Sequence, residues 1–433
     1  MKVGMRFYPA FALSCLIFLS CMPLTAQQAG APQDAPYKID VRVNRLLVPV
    51  VVRDAQGHTV VNLKKEDFQV FSNNKPQLIS GFSIQQRGTT KDNTASAPGS
   101  VTQQTVSPDT LPDHITVFLF DDMHLTAEDL AHAREAGMKI LSGALTGTAM
   151  AAVVSISGRV NTGLTRDTAK LQEALAKLQP MGLYRADNMD CPHIDYYEAD
   201  LIENKHDPVA VQDANQKFAN CNNMPTVATP SNIPTAERSV ESAAIRALAL
   251  GHQDTQSTYA SIAQFVRRMA PLPGRRTLIL VSAGFLNIER DSLGAESRII
   301  DLAVQSDVTI SSLDARGLYT TELSASERSP ALSGQSLQVN LDYHRNSMKL
   351  AENPMAELAD GTGGTFFHNS NDLDAGFKSL TQVPEYVYVL EFPLNNVKQD
   401  GSYHHLKVKV DREGLRLQAR QGYFVPRPKK NKS

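Results

Sequence analysis

A chain of 433 residues with 42% hydrophobic and 20% charged residues has the composition of a globular protein with about two or three cores. Its formal charge of −2 gives no excess of basic surface, which removes the electrostatic reason to expect nucleic acid as a partner.

The chain opens with a targeting pattern. Lys2 and Arg6 precede the apolar run "FALSCLIFLSCMPL" (11–24), followed by "TAQQAGAPQ". The run is too short and wrongly flanked to span a membrane, so 1–26 reads as a secretory signal cleaved after Ala26. Leu24 fits poorly as the small residue two places earlier. The alternative is a lipidated Cys21, for which Phe18 makes a weak lipobox. No later segment reaches the roughly 20 apolar residues of a transmembrane helix, so the mature chain is expected to be secreted or periplasmic.

Residues 37–88 have the period of strands. "IDVRVN" alternates from Ile39 to Val43, "LLVPVVV" (46–52) is β-branched, and Leu78, Ser80, Phe82 and Ile84 fall on one face of "LISGFSI". Residues 89–113, rich in Ser, Thr, Gly and Pro, read as a linker. From 114 to 382 strands and helices alternate, beginning with "ITVFLF" (115–120) and a helical stripe of Leu130, Ala133, Gly137, Met138 and Leu141. "AAVVSI" (151–156) follows, and Asp167 is placed to cap a helix carrying Leu171, Leu175 and Leu178.

A polar insertion occupies 180–235, then a long helix is expected over 237–269 and a buried strand in "RRTLILVSAGF" (275–285). "SRIIDLAVQSD" predicts a helix leading into the strand "VTISSLD" (308–314). Asn353 and Pro354 look like the cap and first turn of "PMAELAD", and "GTGG" (361–364) like a helix stop. "GGTFFHN" and "NDLDAGFKSL" supply the last strand and helix of this portion. Residues 383–426 return to strands, with Leu406, Val408 and Val410 facing Leu415, Leu417 and Ala419, and His405, Lys407, Lys409, Arg416 and Arg420 outside. His404 and His405 should point to opposite faces. Residues 427–433 form a short basic tail, read as a solvated terminus.

The alternation predicts an α/β fold: a doubly wound, mostly parallel, Rossmann-like sheet flanked by N- and C-terminal β-sandwich segments that could complete one sandwich together. Ligands of such sheets bind at the carboxyl ends of the strands, where Asp121 and Asp122 lie. "TLILVSAG" is expected beside the strand that they end. Loss of the signal removes Cys15 and leaves Cys191 and Cys221 in an oxidising compartment, which points to a disulfide rather than two separate thiols. His193 and His206 lie between them at spacings that match no zinc pattern.

Several segments resemble the von Willebrand factor A domain, and specifically an acidobacterial family of such domains. They are "VVVRDAQGHTVVNLKKEDFQVFSNNKPQLISGFS", "FLFDDMHLTAEDLAHAREAGMKIL", "GRRTLILVSAGF", "VTISSLDARGL", "LADGTGGTFFHNSNDL" and "DGSYHHLKVKVDREGLRLQARQGYF". "CPHIDYYEADLIENKHDPVAVQDANQKFANC" resembles that family's cysteine-bounded insertion. The resemblance covers nearly all of the mature chain. It implies an exported protein of undetermined biochemical role, from a class that mostly binds proteins, often through a divalent ion.

In metal-binding members the first strand ends in Asp-x-Ser-x-Ser, with a threonine and a second aspartate from later loops. Here Asp121 takes the aspartate position, Met123 and Leu125 the serine positions, and Ala283 that of the later aspartate. A shifted frame offers Asp121, Asp122, His124 and Thr126 as ligands, although histidine suits softer metals than magnesium. The competing reading has Thr126 capping the first helix, the aspartates complementing its positive end, and His124 as a loop residue.

No G-x-S-x-G, H-E-x-x-H or G-x-x-x-x-G-K motif is present. Asp314 ends a strand with no identifiable partner and reads as a polar turn residue. The functional expectation is a non-catalytic, exported protein-interaction module with a degenerate metal-ion-dependent adhesion site and no cofactor. The alternative is an adhesin that binds a divalent cation at Asp121 and Asp122. An enzyme of unknown type stands third.

Overall fold

Valines on alternate positions bury one face of Arg45–Arg53 (β1), which leads into Phe68–Ser72 (β2), Lys75–Gln77 (β3) and Gly81–Gln86 (β4). The pattern then changes to His114–Phe120 (β5), Ala127–Ala144 (α1), Met150–Ser155 (β6) and Thr168–Lys177 (α2). Two short helices, Tyr196–Glu203 (α3) and Pro208–Cys221 (α4), precede the long Ile233–Met269 (α5). Arg275–Ser282 (β7), Arg290–Gln305 (α6), Val308–Asp314 (β8), Gly334–Thr362 (α7), Phe366–Phe367 (β9) and Leu373–Thr381 (α8) complete the alternation. Tyr386–Pro393 (β10), Tyr403–Val410 (β11), Arg416–Ala419 (β12) and Gly422–Phe424 (β13) end it.

These elements come from a computed structural model that describes residues 45–55, 58–86, 112, 114–144, 149–181, 191–224, 233–318, 334–381, 386–394, 397 and 402–425. All of them belong to one unit, Asn44–Ser433. The signal segment with Ala26 and Cys21, the strand expected at Ile39–Val43, the basic tail and all of the linker but Pro112 lie outside the described residues. No helix among the described residues is long and apolar enough to cross a membrane.

The protein is α/β, with a five-stranded parallel sheet in the order β6-β5-β7-β8-β9 accompanied by two antiparallel sheets. Each strand of the parallel sheet shows its two faces to different helices. Phe118 and Phe120 of β5 and Ile279 and Val281 of β7 pack with Leu130, Leu171 and Phe377 of α1, α2 and α8. Val117, Leu119, Leu278 and Leu280 pack on the other side with Ile262, Val266, Ile299 and Leu358 of α5, α6 and α7. Continuous apolar strands follow from burial on both faces.

The antiparallel sheets, β12-β1-β10-β4 and β13-β11-β2-β3, share a second core that includes Val48, Val50, Phe68, Val70, Tyr388, Phe392 and Leu406. Strands from both ends of the chain interleave here: β1 lies between β10 and β12, and β2 pairs with β11.

Four local expectations about packing and helix starts fail. Leu78 is 80% exposed while Ile79 is buried, because 78–80 connect β3 to β4 and strand alternation does not run through them, and Ile84 is exposed on β4, the edge strand of its sheet. Met138 is exposed and Ala136 takes its place in the core. Pro354 does not begin a helix; α7 starts at Gly334 and the proline sits inside it. Proline removes a helical N–H and crowds the preceding turn, and in that turn Ala351 O accepts a bond from Phe285 N at 3.2 Å.

The fourth is Arg420. It is only 1% exposed, not outside, because β12 ends at Ala419 and the chain crosses there to β13 in the other sheet. Its guanidinium reaches Asp301 Oδ1 at 2.5 Å, Ser297 Oγ at 3.1 Å and Gly422 O at 2.9 Å, tying the sandwich to α6.

The cysteine-bounded insertion has its own core and is not merely polar. Tyr197, Leu201, Ile202, Ala210, Ala214 and Phe218 of α3 and α4 pack against Val240, Ala243 and Ala244 of α5. Asp195 and Asp207 cap the two short helices, and a Cys191–Cys221 disulfide joins the start of the segment to the end of α4. Inside it, Lys217 lies 2.7 Å from Glu198 and 3.1 Å from Asp213. Burial, only partly offset by Lys217, pushes the Glu198 carboxyl up to about 7.

Candidate functional site

The parallel strand order reverses between β5 and β7: the chain steps outward from β5 to β6, then returns across β5 to β7 and continues to β8. In open α/β sheets the crevice at such a reversal, beyond the carboxyl ends of the strands, is where ligands sit. Asp121 follows β5 and Ser282 ends β7 at this point, with Phe120 paired to Val281 and Asp121 N bonded to Val281 O at 2.9 Å.

The Asp121 carboxylate is fully buried and saturated with donors. Ser282 Oγ donates to it at 2.6 Å, and the backbone N–H groups of Met123 and His124 at 3.3 and 3.2 Å. His124 Nδ1 lies 2.8 Å from Asp121 Oδ2 and 2.9 Å from Oδ1. The other ring nitrogen, Nε2, lies 2.5 Å from Asp254 Oδ2 in the middle of α5. A carboxylate faces each nitrogen, so both must carry a proton and the ring is an imidazolium.

Electrostatics agree with this geometry. Burial alone would favour the neutral ring, but Asp121 and Asp254 together overcome it and lift the His124 pKa to about 10. Burial likewise pushes Asp121 up, yet the charge of His124 and the bonds from His124 and Ser282 leave it below its ordinary value. Phe285 lies 5.9 Å from the imidazole, ring centre to ring centre, and Tyr259 packs edge-on to Phe285 at 5.2 Å, so the charged group sits on an aromatic wall. Gly284 makes the turn from Ser282 to Phe285 at φ +86°, and its N–H donates to Ser282 Oγ at 2.9 Å.

Of the four ligands read from the sequence, Asp121 and His124 meet and the other two are engaged elsewhere. Asp122 turns to the loop after β6, where Ser157 donates its N–H at 2.9 Å and its hydroxyl to the carboxylate. Thr126 caps α1: its Oγ1 accepts from Asp129 N at 3.1 Å and donates to Asp129 Oδ2 at 2.7 Å. Leu125 is part of the core below α1, and Ala283 packs against that core.

Among the described residues no three or more His, Cys, Asp or Glu side chains are grouped to hold a metal ion. The donor set does not fit a hard divalent cation, because an imidazolium stands between the two carboxylates that would bind one.

Asp254, Ser282 and Ser157 were missed by sequence reasoning. Ser282 carried a signal, being the polar residue that ends an apolar strand, one place before the position compared with the later aspartate. Asp254, in "GHQDTQS", had none that separates it from a solvated helix residue. Asp314, at the end of neighbouring β8, is not a partnerless turn residue: Arg316 binds it through Nε at 2.9 Å and Nη2 at 2.6 Å and continues to Glu352 at 3.3 Å. His404 is buried against Tyr423 while His405 is exposed, as strand alternation requires.

No family model and no curated protein matches the chain. Among solved structures it is similar to the conserved hypothetical protein BatB from Bacteroides thetaiotaomicron, at 10% identity and a TM-score of 0.28, over 61% of this chain and 94% of that one. It is also similar to the three N-terminal domains of the type V pili tip protein Mfa5 from Porphyromonas gingivalis, at 11% identity and a TM-score of 0.25, over 88% and 67% of the two chains. Likenesses this distant carry no functional argument.

Proposed function

We propose that this protein is an exported, non-catalytic protein-interaction module of the von Willebrand factor A type, in which protonated His124 stands where metal-binding members hold a divalent ion. The observation that supports the reading is the bridge Asp121–His124–Asp254 at the reversal point of the parallel sheet. One positive charge between a buried carboxylate and a half-buried one does locally what a cation would do: it offsets their repulsion and fixes the strand end to the neighbouring helix. With both ring nitrogens engaged, His124 has no lone pair with which to act as a base, which speaks for a scaffold and against turnover. The Cys191–Cys221 disulfide suits an oxidising compartment.

Calorimetry of the mature protein with Mg²⁺, Ca²⁺ and Mn²⁺ tests this directly. The expected traces match buffer, and capture of partners from the native envelope fraction should be insensitive to EDTA. Micromolar binding abolished by Asp121→Ala would falsify the reading in favour of a metal-dependent adhesin at Asp121 and Asp122. Turnover abolished by the same substitution would point to an enzyme.

A further inference from the structure

On the outer face of the parallel sheet, α5 and α6 run side by side, bonded by Gln256 Nε2 in the second half of α5 to Ser292 Oγ in the first turn of α6 at 3.1 Å. Beside that bond lies a cleft of about 280 Å³. Ala260 and Ala263 of α5 and Ala295 of α6 line it, and three methyl groups leave unfilled the space that larger side chains occupy between packed helices. Ile299 and Leu302 extend the apolar lining.

Two arginines also line this cleft, Arg267 from α5 and Arg298 from α6. Both residues are exposed, and neither takes part in any ion pair among the described residues. The acids nearest in sequence do not cancel them. Asp301 is already held by Arg420 at 2.5 Å, facing the sandwich. Glu296 is buried and accepts a bond from Asn287, and burial and Glu357 push its carboxyl well above the ordinary carboxylate range. Arg268 lies over the Phe265 ring and adds a further positive charge to the same end of α5. In a chain whose net charge is −2, this is a local positive rim above an apolar floor.

We propose that the α5–α6 cleft binds a small anionic amphiphile, its carboxylate between Arg267 and Arg298 and its apolar tail on Ala260, Ala263, Ala295 and Ile299. Arginine is the side chain best matched to a carboxylate, which it grips with two parallel N–H donors. The volume is near the lower end of ligand pockets, about 300–1,000 Å³, so the ligand is a small molecule and not a folded partner. This site is separate from the His124 bridge and stands whether or not the interaction-module reading holds.

Decanoate, decan-1-ol and decylamine, titrated calorimetrically into the mature full-length protein, supply the test. Decanoate should bind, decan-1-ol about tenfold or more weakly, and decylamine not at all. R267A/R298A should lower decanoate affinity by about tenfold or more with an unchanged unfolding midpoint, while A263L, which fills the floor, should remove binding of acid and alcohol alike. Three results overturn the proposal: no heat with decanoate, equal binding of all three probes, or decanoate affinity that survives R267A/R298A. Binding to phosphatidylglycerol vesicles without binding of free decanoate would also overturn it, and would assign the arginines to a membrane surface.

Discussion

His124 Nε2 lies 2.5 Å from Asp254 Oδ2, so the turn after β5 is pinned to α5 by a charge pair formed across 130 residues of sequence. The two side chains are only 14% and 10% exposed, which places the pair where solvent screens it little.

Stability should therefore depend on pH through His124. Its folded pKa is raised from 6.5 to about 10, so its contribution is full below about pH 6.5 and is lost as pH rises through about 10. Asp121 is shifted the opposite way, and its contribution is lost as pH falls below its ordinary range of about 3.8. His124→Gln leaves the buried Asp121 and the half-buried Asp254 without their cation and should cost about 3 kcal/mol at pH 6. Urea unfolding of both proteins from pH 5 to 10 should show that difference shrinking steadily above pH 6.5. A difference that stays constant with pH would contradict the charged-histidine account.

Removing the two partners of the Arg420–Asp301 pair should not cost the same. Asp301→Asn strands a guanidinium that is wholly buried and should destabilise by about 3–5 kcal/mol. Arg420→Met leaves a carboxylate that is already 33% exposed and can hydrate, so about 2 kcal/mol is expected. Denaturant midpoints read the order of the two effects; a reversed order would mean that the arginine acts mainly through its packing.

The disulfide closes a loop of 30 residues, for which the chain-entropy model gives about 3–4 kcal/mol. Because α3 and α4 also share an apolar core with α5, C191S/C221S should keep their helices and lose protection locally. Hydrogen exchange is expected to quicken in 191–224 and to stay unchanged in β5 and β7. Peptide mapping of non-reduced protein should recover the two cysteines linked.

Gly284→Ala should damage the site without touching a charged residue. The position needs φ +86°, and an added Cβ would collide with Ala351 O on α7. A cost of about 2 kcal/mol or more is expected from strain and collision. The His124 ring protons should shift in NMR spectra, because the turn also holds Ser282 against Asp121.

By itself the sequence determined the local periods. The near-continuous apolar runs of β5 and β7 announced buried parallel strands, Asp167 announced the start of α2, and Asp121 announced a charged group at a strand end. These features depend on neighbours a few residues away, and burial on both faces leaves one composition for a central strand. Tertiary structure alone decided what met at that strand end. Asp254 looks like any polar residue of a long helix until α5 is laid across the sheet, and only then does it face His124. Arg420 follows the alternation of an exposed strand face until the chain changes sheets one residue earlier, which sends it inward to Asp301. Charge pairing is a long-range relation with no period in the chain, so its partners are fixed by packing. At that strand end, the placement of one histidine between two carboxylates is likewise decided by the fold.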